Sequence, residues 1–235
     1  MVCKLCGEDR KLIEAHVIPK SFHRLDPHDP TPARLATNVP GRYRQTIPKG
    51  VYDRTILCEP CERHFSHWDD YAAILLLQDW PTFAPIMNGP EQLGYTLPTF
   101  DYPSLKLFFL SVLWRAAVSS HVMYAKVDLG RREPALKQSI LTRDPASIDH
   151  FGVVLQAFDT PDVGLLNPHA ERFSGLRYIR FYLSHIIAYI KVDSRPFDDP
   201  FKDLALGPER PLVILLKSFL ISPERRVMRK LALPR

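Results

Sequence analysis

Thr55-Ile56-Leu57-Cys58-Glu59-Pro60-Cys61-Glu62 is the stretch that decides how the first third of this chain is read. Its two cysteines have a counterpart in Cys3-Lys4-Leu5-Cys6, and these 4 cysteines are all that the 235 residues contain. Two C-x-x-C knuckles with no thiol left over read as one tetrahedral four-cysteine zinc site. Each short loop aims two sulfurs at one ion, and the second pair closes the shell. The competing reading is a redox pair or a disulfide, but a redox C-x-x-C usually opens a helix after a strand in a thioredoxin-like unit, which residues 1–10 do not offer. A closed four-sulfur shell leaves no coordination position for a substrate, so this ion is expected to hold the fold. Pro60 suits the first turn of a helix, and Cys61, Phe65, Trp68, Ala72, Leu75 and Leu76 recur at helical spacing. The pattern predicts a helix to about Gln78, with Glu62, Ser66 and Asp69 along its flank and Thr55-Ile56-Leu57 as a strand leading in.

Working outward, Leu12-Ile13-Glu14-Ala15-His16-Val17-Ile18-Pro19 surrounds one histidine with apolar residues and ends on a proline. This reads as a short strand carrying His16 near its end. A knuckle, a histidine in the form His-Val-Ile-Pro, and Leu-Cys-x-x-Cys entering a helix together resemble the zinc-bearing branch of the HNH, or ββα-metal, endonucleases. The resemblance covers about residues 1–75. It implies two strands and a helix around one catalytic divalent ion, with the strand histidine as the general base that activates water against a DNA phosphate. By motif, His16 takes the base position, Glu62 the metal-ligand position after the last cysteine, and Asp53 the family's central Asn. The residue before the family histidine is commonly a ligating Asp, whereas here it is Ala15, which has no donor. Glu14, two residues from His16 on the same strand face, is the candidate to supply the missing oxygen. Asp53, Glu62 and Glu14 are hard donors that suit Mg²⁺ or Mn²⁺.

The segment from Lys20 to Arg54 carries seven basic residues against three acidic ones. Lys20, Arg24, Arg42, Arg44 and Lys49 are therefore the candidate phosphate-gripping surface, with Tyr43 and Tyr52 available for stacking; a solvated loop is the alternative. The nucleic acid expected is DNA before RNA. His64 and His67, on another helix face from Glu62, are expected to be surface residues.

Composition sets the outer limits. With 46% hydrophobic and 24% charged residues the chain can bury a core, and a net charge of +5 decides little about partners. No apolar run approaches the ~20 residues of a membrane span, and the N-terminus lacks the features of a secretory signal, so no membrane association and a cytoplasmic location are expected. Proline is high at 22 residues. Five of them fall in 81–103, which reads as a stiff irregular connection between a module at 1–80 and a C-terminal domain at 104–235.

In that domain Ser104 to about Ala125 and Arg132 to Leu141 read as helices, and Phe151–Phe158 and Leu212–Leu216 as strands. Residues 176–192 fit helix or paired strands, with strands favoured, and Pro223 opens a last helix bearing Arg225, Arg226, Arg229 and Lys230. Arg115 in an otherwise apolar helix is expected to snorkel to water. The fold class expected is α+β: a zinc-stabilised ββα-metal module followed by a domain of unread topology. Substrate selection, self-association and docking of another protein are all open to that domain. Two functions follow from different classes: a metal-dependent endonuclease using His16, or a zinc-stabilised module that binds nucleic acid or protein without turnover.

Overall fold

The structure, a computed structural model, describes residues 1–23, 34–35, 45–46, 50–160, 166–197 and 201–232; for 34–35, 45–46 and 228–232 it describes the backbone only. The chain is mixed α+β. Two short ladders come first: β1 (Ala15–His16), β2 (Arg34–Leu35), β3 (Gln45–Thr46) and β4 (Tyr52–Asp53), with β1 antiparallel to β4 and β2 to β3. Then follow α1 (Glu59–Ala73), β5 (Ala84–Asn88), β6 (Glu91–Leu97), α2 (Tyr102–Val118) and α3 (Glu133–Thr142). The rest comprises β7 (Val153–Phe158), β8 (His169–Phe173), β9 (Leu176–Leu183), β10 (Ile186–Lys191), α4 (Phe201–Leu204), β11 (Leu212–Lys217) and α5 (Pro223–Ala232). Seven strands form one sheet in the order β5-β6-β11-β7-β10-β9-β8, antiparallel throughout except between β11 and β7. No helix among the described residues is long and apolar enough to cross a membrane.

The ambiguity of residues 176–192 has a simple origin. In β7, β9 and β10, alternate residues enter different cores: Leu155, Phe181 and Ala188 join one apolar cluster, and Val154, Tyr182 and Ile187 join another on the opposite face. A strand covered on both faces loses its polar alternation and resembles a buried helix in sequence. The first cluster runs from Cys3 and Leu57 through Phe65 and Trp114 to Ile214, so the knuckle residues and the sheet share one core. At its centre lies α2, buried on nearly every side and packed against α1, α3 and β10. Asp101 caps it, accepting from Ser104 N at 3.0 Å.

Three expectations change, and one strand lies where none is expected. The strand expected at 55–57 lies earlier, at Tyr52–Asp53, because the Asp53 carboxylate accepts from Thr55 N (2.8 Å) and Thr55 Oγ1 (2.6 Å) and bends the chain out of the ladder. Residues 56–58 stay tied by single backbone contacts: Lys4 N to Ile56 O, Ile13 N to Leu57 O, and a bridge between Leu12 and Cys58. The long helix ends at Val118 rather than about 125, since Ser119 turns extended and gives its hydroxyl to Asp53. The connection at 81–103 contains the β5–β6 hairpin. Proline is tolerated there because Pro85 lies on an edge strand and Pro90 follows Gly89 in the turn. Lastly, β8 has no buried residue and so carries no apolar signal, although Ser174-Gly175, both at positive φ, mark the tight turn that pairs it with β9.

Candidate metal centre and the adjoining histidine

The two knuckles meet in space. One donor atom from each of Cys3, Cys6, Cys58 and Cys61 lies within 4.8 Å of the others, and Cys6 Sγ and Cys58 Sγ are 3.9 Å apart. That is far beyond a disulfide bond and close to the ~3.8 Å edge of a sulfur tetrahedron with metal–sulfur bonds of about 2.3 Å. Cys3, Cys58 and Cys61 are buried, and Cys6 faces outward. The local fold explains the convergence: Gly7, at φ +77°, lets the first knuckle turn back so that its amide reaches Cys3 O, while Cys58 N donates to Cys3 Sγ at 3.4 Å. Burial pushes the Cys3 thiol up, but amide donors from Cys6, Cys58 and Leu5 outweigh it and bring it to about 7. Burial and the crowding of the other three sulfurs push Cys61 far up. Sulfurs packed this closely can all ionise only around a cation, so the cluster has the composition and spacing to hold a metal ion.

His16 sits one ladder away, on the face of α1 that carries Glu62 and Asp69. Its ring is half-buried and meets Tyr52 edge-on at 6.3 Å, over which Arg54 is placed at 5.6 Å. Its amide faces Glu62 Oε1 at 3.4 Å, and its carbonyl accepts from Arg115 Nη1 at 3.0 Å. Glu62 is largely withdrawn from water; burial raises its carboxyl, opposed by the nearby Arg115 charge, and its Oε2 has no hydrogen-bond partner. A buried carboxylate oxygen without a donor is unfavourable unless the group takes a proton or something supplies positive charge. This is the observation on which a second ion can be tested, and the oxygen donor fits a hard cation.

The other predicted site residues are placed differently. In the β1–β4 register Ala15 pairs with Asp53 and His16 with Tyr52, so Asp53 shares the buried Ala15 side and faces away from His16. Besides Thr55, its carboxylate accepts from Ser119 Oγ (2.7 Å), Ser120 N (2.7 Å) and Ser120 Oγ (3.0 Å). It is a fastening between β4 and the end of α2, not a group poised for catalysis. Glu14 is exposed and pairs with Arg54, whose Nε donates to it at 3.1 Å. Lys20 is exposed at the start of a 3₁₀ turn, and Arg24, Arg42, Arg44 and Lys49 lie outside the described residues. His67 is exposed, as expected, with Ser104 Oγ at 3.4 Å, whereas His64 is half-buried and meets Ile140 O at 3.1 Å.

Burial raises the Asp53 carboxyl, but its donors more than reverse this and hold it well below the ordinary 3.8. Its stabilising contribution is therefore complete above that value and is lost as pH falls below it toward the folded-state value. Asp53→Ala removes the buried acceptor that gathers Thr55, Ser119 and Ser120, of which Thr55 and Ser120 are exposed and can turn to water, and is expected to cost about 1–2 kcal/mol at pH 7. In urea melts, the gap between wild type and variant is expected to close on acidification below about pH 4.

Sequence reasoning missed three groups. Arg115 does not snorkel: it is fully buried, because Asp69 and the Phe65 ring hold its guanidinium inside. Ser119 and Ser120 carried no signal, but an arginine within an apolar helix and an aspartate seven residues beyond Glu62 did. His23 is buried with Nε2 at 3.1 Å from Ile18 O; burial, and then the His16 charge, lower it to about 4. Its ring fills the space where a Cβ on Gly50 (φ +77°) would fall, 2.5 Å from His23 Cδ2. Gly50→Ala therefore combines left-handed strain with a clash and is expected to destabilise by about 2 kcal/mol, read as a lowered melting temperature. Comparison with family models, with curated proteins and with solved structures finds no match to this chain.

Proposed function

We propose that this protein is an HNH-like metal-dependent endonuclease that hydrolyses DNA phosphodiester bonds, with zinc in the four-cysteine cluster and His16 as general base. The observation that carries the reading is the pairing of a half-exposed histidine on a strand with a buried, unpartnered carboxylate oxygen of Glu62, one residue beyond the last cysteine. The order of parts supports it as well: β1 with His16, an antiparallel β4, and α1 opened by the second knuckle. Glu62 would hold a Mg²⁺ or Mn²⁺ ion, which would stabilise the negative charge on the leaving oxygen. His16, as neutral imidazole, accepts the proton from water as its oxygen bonds to phosphorus and the ester P–O bond breaks. Lys20 and Arg54 are both exposed, Arg54 in a pair with Glu14, and would offer charge for phosphate contacts.

A second reading has its own support. Glu14 is engaged by Arg54, Asp53 is fully hydrogen-bonded, Asp69 is held by Arg115 and Ala15 has no donor, so Glu62 is the acid near His16 with a carboxylate oxygen that lacks a hydrogen bond among the described residues. That favours a zinc-stabilised module that binds nucleic acid without cutting it. The two separate cleanly when zinc-loaded protein is incubated with supercoiled plasmid, linear DNA and RNA in Mg²⁺ or Mn²⁺. Metal-dependent nicking is expected from the endonuclease. A gel shift that survives Glu62→Gln, with all three substrates intact, is expected from the binding module.

A further inference from the structure

We infer that Arg115 is the positioning residue for His16, and that α2 thereby completes a site whose chemical groups come from the first 62 residues; this rests on the reading of His16 as a base. Arg115 is fully buried, in the last turn of α2. Its Nη1 donates to His16 O (3.0 Å) and Asp69 Oδ2 (2.9 Å), and its Nη2 to Asp69 Oδ1 (2.7 Å) and Ser111 Oγ (3.0 Å). One planar guanidinium thus fixes β1, α1 and α2 relative to one another, while its carbon lies 4.9 Å from the Phe65 ring centroid. The partner strand is fastened to the same helix, since Asp53 on β4 accepts from Ser119 and Ser120 at the end of α2. A ladder of two residue pairs is too short to hold itself, so both strands take their position from α2. A lysine at 115 would keep the charge but lose the fork that engages the carboxylate and the His16 carbonyl together.

The test uses the full zinc-loaded chain in three variants: Arg115→Lys, Arg115→Met/Asp69→Leu, and the latter combined with His16→Ala. Removing both charges of a buried pair together avoids stranding either one, so zinc content and cooperative melting of the double variant should be retained. Its kcat on supercoiled plasmid is expected to fall about 100-fold, as for other angstrom-scale misplacements, with KM for DNA within about twofold of wild type. Amide exchange across residues 14–18 should quicken, Arg115→Lys should fall between wild type and the double variant, and adding His16→Ala should cost much less than it does in the wild-type background. Inactive wild type would remove the reading of the site and this assignment with it. Active wild type beside a double variant of equal kcat and unchanged exchange would overturn the assignment alone. So would a full additional loss on His16→Ala, or a fall in kcat explained by lost zinc and a broadened melt.

Discussion

Stripping the metal from the four-cysteine cluster, or replacing Cys58 with serine, is expected to unfold the N-terminal part of the chain. The knuckles are joined to one another by few contacts other than the cluster: backbone bonds at Lys4, Ile13 and Leu12, and the apolar packing of Leu5 and Leu57. Structural zinc in finger peptides contributes on the order of 10 kcal/mol, comparable to the ~5–15 kcal/mol that stabilises a whole domain. Without the ion, three buried sulfurs and one exposed sulfur lose the bonds that hold them together, and thiols such as Cys61, pushed far up by burial, take back their protons. Because the same apolar cluster continues through Phe65 and Trp114 into the sheet, the damage should spread beyond the knuckles. Calorimetry with and without chelator, paired with zinc quantitation, reads this directly. A Cys58→Ser chain that keeps one equivalent of zinc and the wild-type melt would exclude the four-cysteine centre.

His16→Ala and Glu62→Gln are expected to abolish most cleavage while leaving different signatures. His16 is half-exposed, and its main-chain bonds to Glu62 and Arg115 survive truncation of the ring, so the variant should fold. Loss of a general base lowers kcat by about 10²–10⁴, and the concentration of Mn²⁺ giving half-maximal rate should stay near that of wild type. Glu62→Gln removes the charged oxygen instead. Even outer partners of metal ligands commonly change affinity 10–100-fold, so losing a ligand should raise the half-maximal Mn²⁺ concentration at least about tenfold, with partial recovery of rate at high Mn²⁺. Burial raises the Glu62 carboxyl above its ordinary value, so the neutral amide should be well tolerated in the fold. Identical loss in both variants, without any shift in metal dependence for Glu62→Gln, would argue against an ion at this carboxylate.

What the residues disclosed in advance, and what they withheld, divide along physical lines. The cysteine spacing is a local and chemically specific signal, and the four sulfurs do converge. The helix opened by Pro60 is equally local; it runs from Glu59 to Ala73 and passes into a wider π-type turn over Ile74–Asp79. Motif position also set His16 and Glu62 near one another. It failed for Asp53, because facing is decided by strand register: a ladder at 52–53 instead of 55–57 puts that carboxylate opposite Ala15, on the side of α2. Glu14 was legible as an acid near His16 but not as the partner of Arg54, a contact across 40 positions. Arg115 was misjudged for the same reason, since its value depends on Asp69 and His16, brought to it by the packing of α1 on α2.

The sheet followed a similar rule. Strands with apolar runs, β7, β9, β10 and β11, were readable, whereas exposed edge strand β8 and proline-bearing β5 were not. Side chains of Arg229 and Lys230 in the terminal helix lie outside the described residues, as does Tyr43 in the basic segment.

The central claim is hydrolysis of a nucleic-acid backbone with His16 as base, and one comparison addresses it directly. Wild type and His16→Ala, matched for zinc content and melting temperature, are incubated with supercoiled plasmid in Mn²⁺ or Mg²⁺, with EDTA-quenched reactions as the baseline. Metal-dependent nicking by wild type, reduced at least about 100-fold in His16→Ala, is the predicted result. Equal cleavage by both proteins, or none by either on DNA or RNA while zinc is fully bound, would contradict it.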